Sequence, residues 1–315
     1  MTSATSAFLL VYFTPEPGDG EQVRFAVSAG ARPDQFDVLA GGAPVVRSTV
    51  GEGGVRDPFI ARNPDTGGFV IVATDLRVQD GDEWHRTTRW GSRSILVWES
   101  VDLTTWSDAR LVEVAPPQAG NAWAPKAFRP RGSDEWLLFW ASALYDDGAS
   151  RDAGAHQRIL VAPTRDFRTV GPATVYLDPG HDVIDATFVE HRGEVLRFSA
   201  NAQSADPDKI VGFHIFVERG HSLLDPAFRP VAVDVGRPEL DRGEGPAVAV
   251  SHDGSEVYLL IDEFTGEGYA LFSSSDPVGG GFTWEPSARL PRHSRHGSLL
   301  AITGEERERL IAAFR

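Results

Sequence analysis

Five stretches of this 315-residue chain follow one plan: a polar or charged residue, often beside a proline, then a short apolar segment, a turn and an apolar strand. They read RDPFIARNPDTGGFVIVAT, NAWAPKAFRPRGSDEWLLFWA, VIDATFVEHRGEVLRFSA, GEGPAVAVSHDGSEVYLLID and SRHGSLLAITGEERERLIAAF. Aligned on Asp57, Trp123, Asp185, Glu244 and His296, the units are spaced by 66, 62, 59 and 52 residues. A unit of that length carries three or four short strands, the content of a propeller blade. The first 50 residues precede the first unit, so their strands are free to pair with the last one and close the ring without open sheet edges. The expected fold is all-β, a five-bladed β-propeller occupying residues 1–315 as one domain.

The strand content agrees. Runs such as FLLVYFT, FVIVATDL, EWLLFWAS, RILVAPT and EVYLLIDEF are short, apolar or alternating, and punctuated by Gly, Pro, Asp and Asn. Only GEERERLIAA, near the C-terminus, reads as a helix. Acidic side chains outnumber basic ones 45 to 30, giving net charge −15, which argues against a nucleic-acid or anionic-membrane partner. The absence of cysteine removes disulfides, thiolate zinc sites and thiol catalysis. The N-terminal run AFLLVYF is too short to cross a bilayer and has no basic residues ahead of it. It reads as a strand, and the protein as cytoplasmic.

Innermost strands of a propeller begin near its axis. Residues at equivalent positions therefore converge although some 60 residues separate them. Asp57, Asp185, Glu244 and His296 are expected to meet at one spot.

At these positions RDPFI, WAPKA, VIDAT, GEGPA and SRHGS resemble, in order and at blade spacing, the five blade motifs of glycoside hydrolase family 43. That family comprises arabinofuranosidases and xylosidases built on five-bladed propellers, and the resemblance covers essentially the whole chain. It implies Asp57 as general base, Glu244 as general acid and Asp185 as the carboxylate that modulates the acid's pKa and orients it. It also places His296 in the central channel beside a metal ion or water. A hydrated cation such as Ca2+ is then an optional occupant, held through water and not required as a cofactor. Lys126 departs from the pattern, because relatives of this kind commonly carry an acidic residue after WAP.

The chemistry sets its own demands. Inverting hydrolysis needs one carboxylate to activate water and one carboxylic acid to protonate the leaving oxygen, roughly 6.5–9.5 Å apart. A third carboxylate near the acid would raise its pKa by like-charge repulsion. Trp123 and Trp140 offer flat faces that either stack on a sugar or pack in the core; Lys126 and Arg295 are further candidates for substrate contact. The polar, aromatic segment at 82–94 reads as a lid over the pocket, and His181 as a surface turn residue. The expected activity is that of an exo-acting, inverting α-L-arabinofuranosidase on oligosaccharides. A β-D-xylosidase or β-D-galactofuranosidase is the alternative on the same scaffold, and a non-catalytic sugar-binding propeller the alternative of another class.

Overall fold

The computed structural model describes residues 6–78, 84–148, 150–201 and 214–315. They form five four-stranded antiparallel sheets arranged as the blades of a propeller. The first blade runs outward through Val55–Arg62, Phe69–Asp75, Ser94–Ser100 and Arg110–Glu113. The second uses Trp123–Phe128, Trp136–Ala143, Gln157–Thr164 and Thr174–Leu177. The third uses Val183–His191, Glu194–Asn201, His214–Gly220 and Arg229–Val235, and the fourth Glu244–Val250, Val257–Glu263, Gly268–Asp276 and Gly281–Trp284.

The fifth blade joins the two ends of the chain, as the sequence implies. Arg295–Ile302 is its innermost strand, and Ala7–Phe13 lies beside it with Ala7 opposite Ile302 and Leu10 opposite Leu299. Arg24–Ser28 and Phe36–Val38 complete it. Both faces of each blade lie against neighbours, so second strands such as FVIVATD and WLLFWASA are buried throughout rather than alternating. The apolar core fills the seams between blades; Phe139 of the second and Phe188 of the third, for example, stand with ring centroids 4.7 Å apart.

Among the described residues two α-helices decorate the rim. Gly304–Ala313 is the helix anticipated from GEERERLIAA, begun by a capping box in which Thr303 and Glu306 satisfy each other's backbone N–H groups. The helix Trp84–Trp90 falls inside the segment read as a lid; residues 82 and 83 of that segment lie outside the described residues. Among the described residues no helix is long and apolar enough to cross a membrane.

What positions the site is a defect repeated in every blade. The pairing of each innermost strand slips near its start: between Arg56 and Phe59, Trp123 and Lys126, Ile184 and Thr187, and Glu244 and Ala247, with a matching break opposite Arg295–Ser298. At each break one residue turns left-handed: Asp57 (φ 54°), Ala124 (48°), Asp185 (59°), Gly245 (53°) and His296 (20°). A bulge re-aims the side chain it carries. Five bulges around one axis aim five positions at the same channel. The structural equivalents are therefore Asp57, Ala124, Asp185, Gly245 and His296, and the sequence alignment was one residue early at Trp123 and Glu244.

Candidate active site

His296 is the hub. Its Nδ1 lies 3.0 Å from Asp57 Oδ1 and 3.7 Å from Asp185 Oδ2, while its Nε2 lies 2.8 Å from Glu244 Oε1 and 3.3 Å from Asp262 Oδ2. Four expected residues are thus brought together, with Asp57, Asp185 and His296 each less than a tenth exposed. The ring's width and its two short contacts cap the distance between Asp57 Oδ1 and Glu244 Oε1 at about 8 Å, within reach of the roughly 6.5–9.5 Å that admits a water for inversion.

Each carboxylate has its own anchor. Thr74 Oγ1 donates to Asp57 Oδ2 at 2.6 Å and accepts from the backbone N–H of Ala124 at 2.7 Å, tying the first blade to the second. The Gly245 N–H donates to Asp185 Oδ2 at 2.9 Å. Glu244 Oε1 lies 3.4 Å from Arg295 Nη2, and the same guanidinium donates through Nε to Asp262 Oδ2 at 2.5 Å. Tyr269 pins two bulges at once, its hydroxyl donating to the Gly245 carbonyl and accepting from the Gly297 N–H.

Burial would raise every carboxylate in this cluster, and the cationic partners decide where each one ends. For Asp57 burial is outweighed by the His296 contact, by Arg56 and by the Thr74 hydroxyl, so it stays ionised well below the usual range, as a base requires. Burial dominates at Asp185, which is pushed up to about 6 with Glu244 and Asp57 adding to the rise. Glu244 goes the other way: burial is overcome by the charge and hydrogen bond of His296 and by Arg295, which lower it. The two carboxylates are thus driven in opposite directions, Asp185 up and Glu244 down. For His296 burial alone would favour the neutral ring, but Glu244, Asp185 and Asp57 raise it well above the ordinary histidine value.

A cavity of about 410 Å³ opens over these groups. Arg56, Trp123, Ile184 and Glu244, the residues immediately before four of the bulges, form one tier of its wall; Asp57, Asp185 and His296 form the floor. Trp84, Thr88 and Arg89 of the rim helix close one side, where the Tyr145 hydroxyl donates to the Thr88 carbonyl, and Gln157 and Asp182 also line the cavity. Trp84 and Trp123 meet edge to face, centroids 5.9 Å apart. Arg56 pairs with the buried Glu21 at 2.8 Å and lies over the rings of Phe13 and Trp84.

Three expected substrate contacts are not on this wall. Trp140 is 1% exposed, packs in the seam between the first two blades and donates its indole N–H to Ser142, so it is a core residue. Lys126 is 2% exposed, its ammonium 5.6 Å from the Phe59 ring centroid. Arg295 is spent on Asp262 and Glu244 rather than turned to the cavity. His181, read as a surface turn residue, is half-buried in the turn before Val183–His191, with its ring nitrogen 2.8 Å from Asn201 Oδ1. Sequence reasoning missed Asp262, Thr74, Trp84 and Glu21. Asp262 directly faces Glu244 across the strand pair, a placing that no local sequence pattern reveals.

Asp185, Glu244 and His296 each present a ligand atom, all within 4.8 Å of one another. The donor set does not suit a cation as it stands. Both ring nitrogens already face carboxylate oxygens, at 3.0 Å and 2.8 Å, so neither is turned free to a metal ion.

A family model described as a probable glycosyl hydrolase domain, related to family 43, matches residues 3–308. An α-L-arabinofuranosidase of Bifidobacterium longum subsp. longum is 27% identical over 236 residues, which take in 70% of this chain and 22% of that protein. The chain therefore spans about a fifth of the length of the curated relative it matches. Among solved structures, the α-L-arabinanase of Penicillium chrysogenum, complexed with arabinobiose, superposes with TM-score 0.58 at 14% identity, over 95% of this chain and 90% of that one. A thermostable family-43 glycoside hydrolase gives 0.54 at 16% identity, over 78% and 76%. At such identities these superpositions speak for the fold.

Proposed function

The chain belongs to the family of probable glycosyl hydrolase domains related to family 43, and from that premise we propose that it is an exo-acting, inverting α-L-arabinofuranosidase that removes terminal arabinofuranosyl residues from oligosaccharides. The observation that carries the reading is the placing of Asp57 and Glu244 on opposite nitrogens of one imidazole, at the floor of one cavity. Asp57 is the base: kept ionised, it takes a proton from water as the water oxygen bonds to the anomeric carbon. Glu244 is the acid and gives its proton to the leaving oxygen as the glycosidic bond breaks. For that it must be protonated in the sugar complex. The His296 Nε2, 2.8 Å away, holds a proton within direct reach. Asp185 acts on Glu244 through the Gly245 backbone it anchors and through its own charge.

The sugar is suggested by the relative named as an arabinofuranosidase. Exo action fits a cavity at the small end of ligand sites, walled on one side by the rim helix. The test is a panel of 4-nitrophenyl glycosides of α-L-arabinofuranose, β-D-xylose and β-D-galactofuranose, with proton NMR of the first sugar released. Arabinofuranoside should be the best substrate, and its product should appear as the anomer opposite to the substrate's. A better xyloside or galactofuranoside would reassign the sugar; net retention would refute the roles of Asp57 and Glu244; no hydrolysis of any would favour a sugar-binding propeller.

A further inference from the structure

Among the described residues, four carboxylates lie within 4 Å of the His296 ring nitrogens: Asp57, Asp185, Glu244 and Asp262. Asp262 is fully buried, with its Oδ1 unpartnered. So dense a negative cluster needs compensating positive charge, because an unpaired buried carboxylate is far costlier than a paired one. Arg56 is largely committed to Glu21, so it cannot supply the whole of that charge. Arg295 answers Asp262 and one side of Glu244. His296 bridges Asp57 and Glu244.

Among the described residues, the remaining cation beside this cluster is Lys126. It stands two residues beyond the left-handed Ala124, the position that Phe59, Thr187, Ala247 and Ser298 take in the other four blades. All five positions lie just past the bulge along the innermost strands, so Lys126 belongs to the tier next to the carboxylates. Burial lowers its pKa, and the charges of Asp185 and Asp57 act in the opposite sense to retain the proton. A buried ammonium without such partners would be expected to lose it.

We propose that Lys126, together with His296, supplies as built-in side-chain charge the positive potential that a divalent cation would otherwise give this channel, and that the protein works without a metal ion. A cation drawn to Asp185, Glu244 and His296 would meet a ring whose two nitrogens already stand 3.0 Å from Asp57 Oδ1 and 2.8 Å from Glu244 Oε1, with Lys126 buried in the next tier. The lysine that departs from the acidic pattern after WAP is then a replacement for an ion rather than a substrate contact.

The experiment compares the unmodified protein with Lys126→Gln and Lys126→Arg, each stripped with EDTA and titrated with CaCl2 to 10 mM (about 10 mM is ample for the weakest extracellular-type sites). Melting temperature and calorimetric binding are read alongside hydrolysis of the best nitrophenyl glycoside. The unmodified protein and Lys126→Arg should show no change in rate or melting temperature on chelation and no calcium heat. Lys126→Gln should lose at least tenfold in rate, and calcium should raise its melting temperature by a few degrees and recover part of the activity. Loss of rate or stability when the unmodified protein is chelated, reversed by calcium, would overturn the proposal. So would a Lys126→Gln protein with full rate and no response to calcium. If Lys126→Gln does not fold, the chelation and calcium titrations of the unmodified protein decide alone. Because binding and melting are read without substrate, the proposal can fail while the glycosidase reading stands, and the reverse.

Discussion

Glu244 carries the sharpest demand made of any single residue in the channel. Its surroundings favour the carboxylate, whereas the proposed chemistry needs the acid. Its role can be isolated by the leaving group. A nitrophenolate departs without help, so Glu244→Ala should cost an aryl glycoside about tenfold or less. A natural disaccharide, whose alcohol must be protonated, should lose about 10²–10⁴-fold, the usual worth of general acid catalysis. Steady-state kcat/KM on both substrates measures the difference, and equal losses would remove Glu244 from the role of acid. At this scale the sequence was legible where the chemistry is rare. A carboxylate beside Pro58 or set between Gly243 and Gly245 stands out against an apolar strand. Thr74 and Asp262 were not legible, because each acts across a strand pair or a blade seam that no local pattern reveals. Trp140 misled for the converse reason: an indole that could stack on sugar is also the best filler of a seam, and only burial decides.

At the scale of the element, the five bulges are what turn strands into a site. Left-handed backbone costs a non-glycine residue about 1–2 kcal/mol, and such strain persists where it is over-determined by its surroundings. Asp57, Asp185 and His296 bear it while aiming at the channel; Gly245 avoids it. A Cβ placed on Gly245 would also stand 2.6 Å from Cδ2 of His296, so the ring would have to move. Gly245→Ala should therefore lower the melting temperature by several degrees and activity by tenfold or more. Ala124→Gly relieves the same strain at a bulge without a catalytic side chain, and should leave both level or the melting temperature slightly raised. Thermal melts and kcat/KM of the pair check this; equal behaviour of the two would mean that the bulge does not position His296. The bulges explain the alignment error too: Trp123 and Glu244 look equivalent to Asp57 by chemistry, yet they precede the turned residue. The rim helix Trp84–Trp90 was foreseen only as a lid, because seven residues with Thr87 alone buried carry no apolar period to read.

The whole molecule binds the site to the closure of the ring. Arg295–Ile302 brings His296 and Arg295 to the channel, yet its neighbour within the blade is Ala7–Phe13, from the other end of the chain. Every residue of Ala7–Phe13 is buried. The order of blades was readable from a repeat of near-constant length, and the closure from the strands left over before it; what no repeat could show is that the hub of the chemistry hangs on that junction. Deleting residues 1–13 would expose Arg295–Ile302 as an unpaired apolar edge, a template for aggregation rather than a quiet surface. The truncated protein should elute as aggregate in size-exclusion chromatography, and any monomer should be inactive because His296 has lost the strand that sets it. A synthetic peptide of residues 6–14, added during refolding, can restore the missing strand by edge pairing, and should return monomer and hydrolysis together. A truncated monomer that hydrolyses at the full rate without the peptide would show that the first strand does not hold His296 in place, and that ring closure and catalysis are independent.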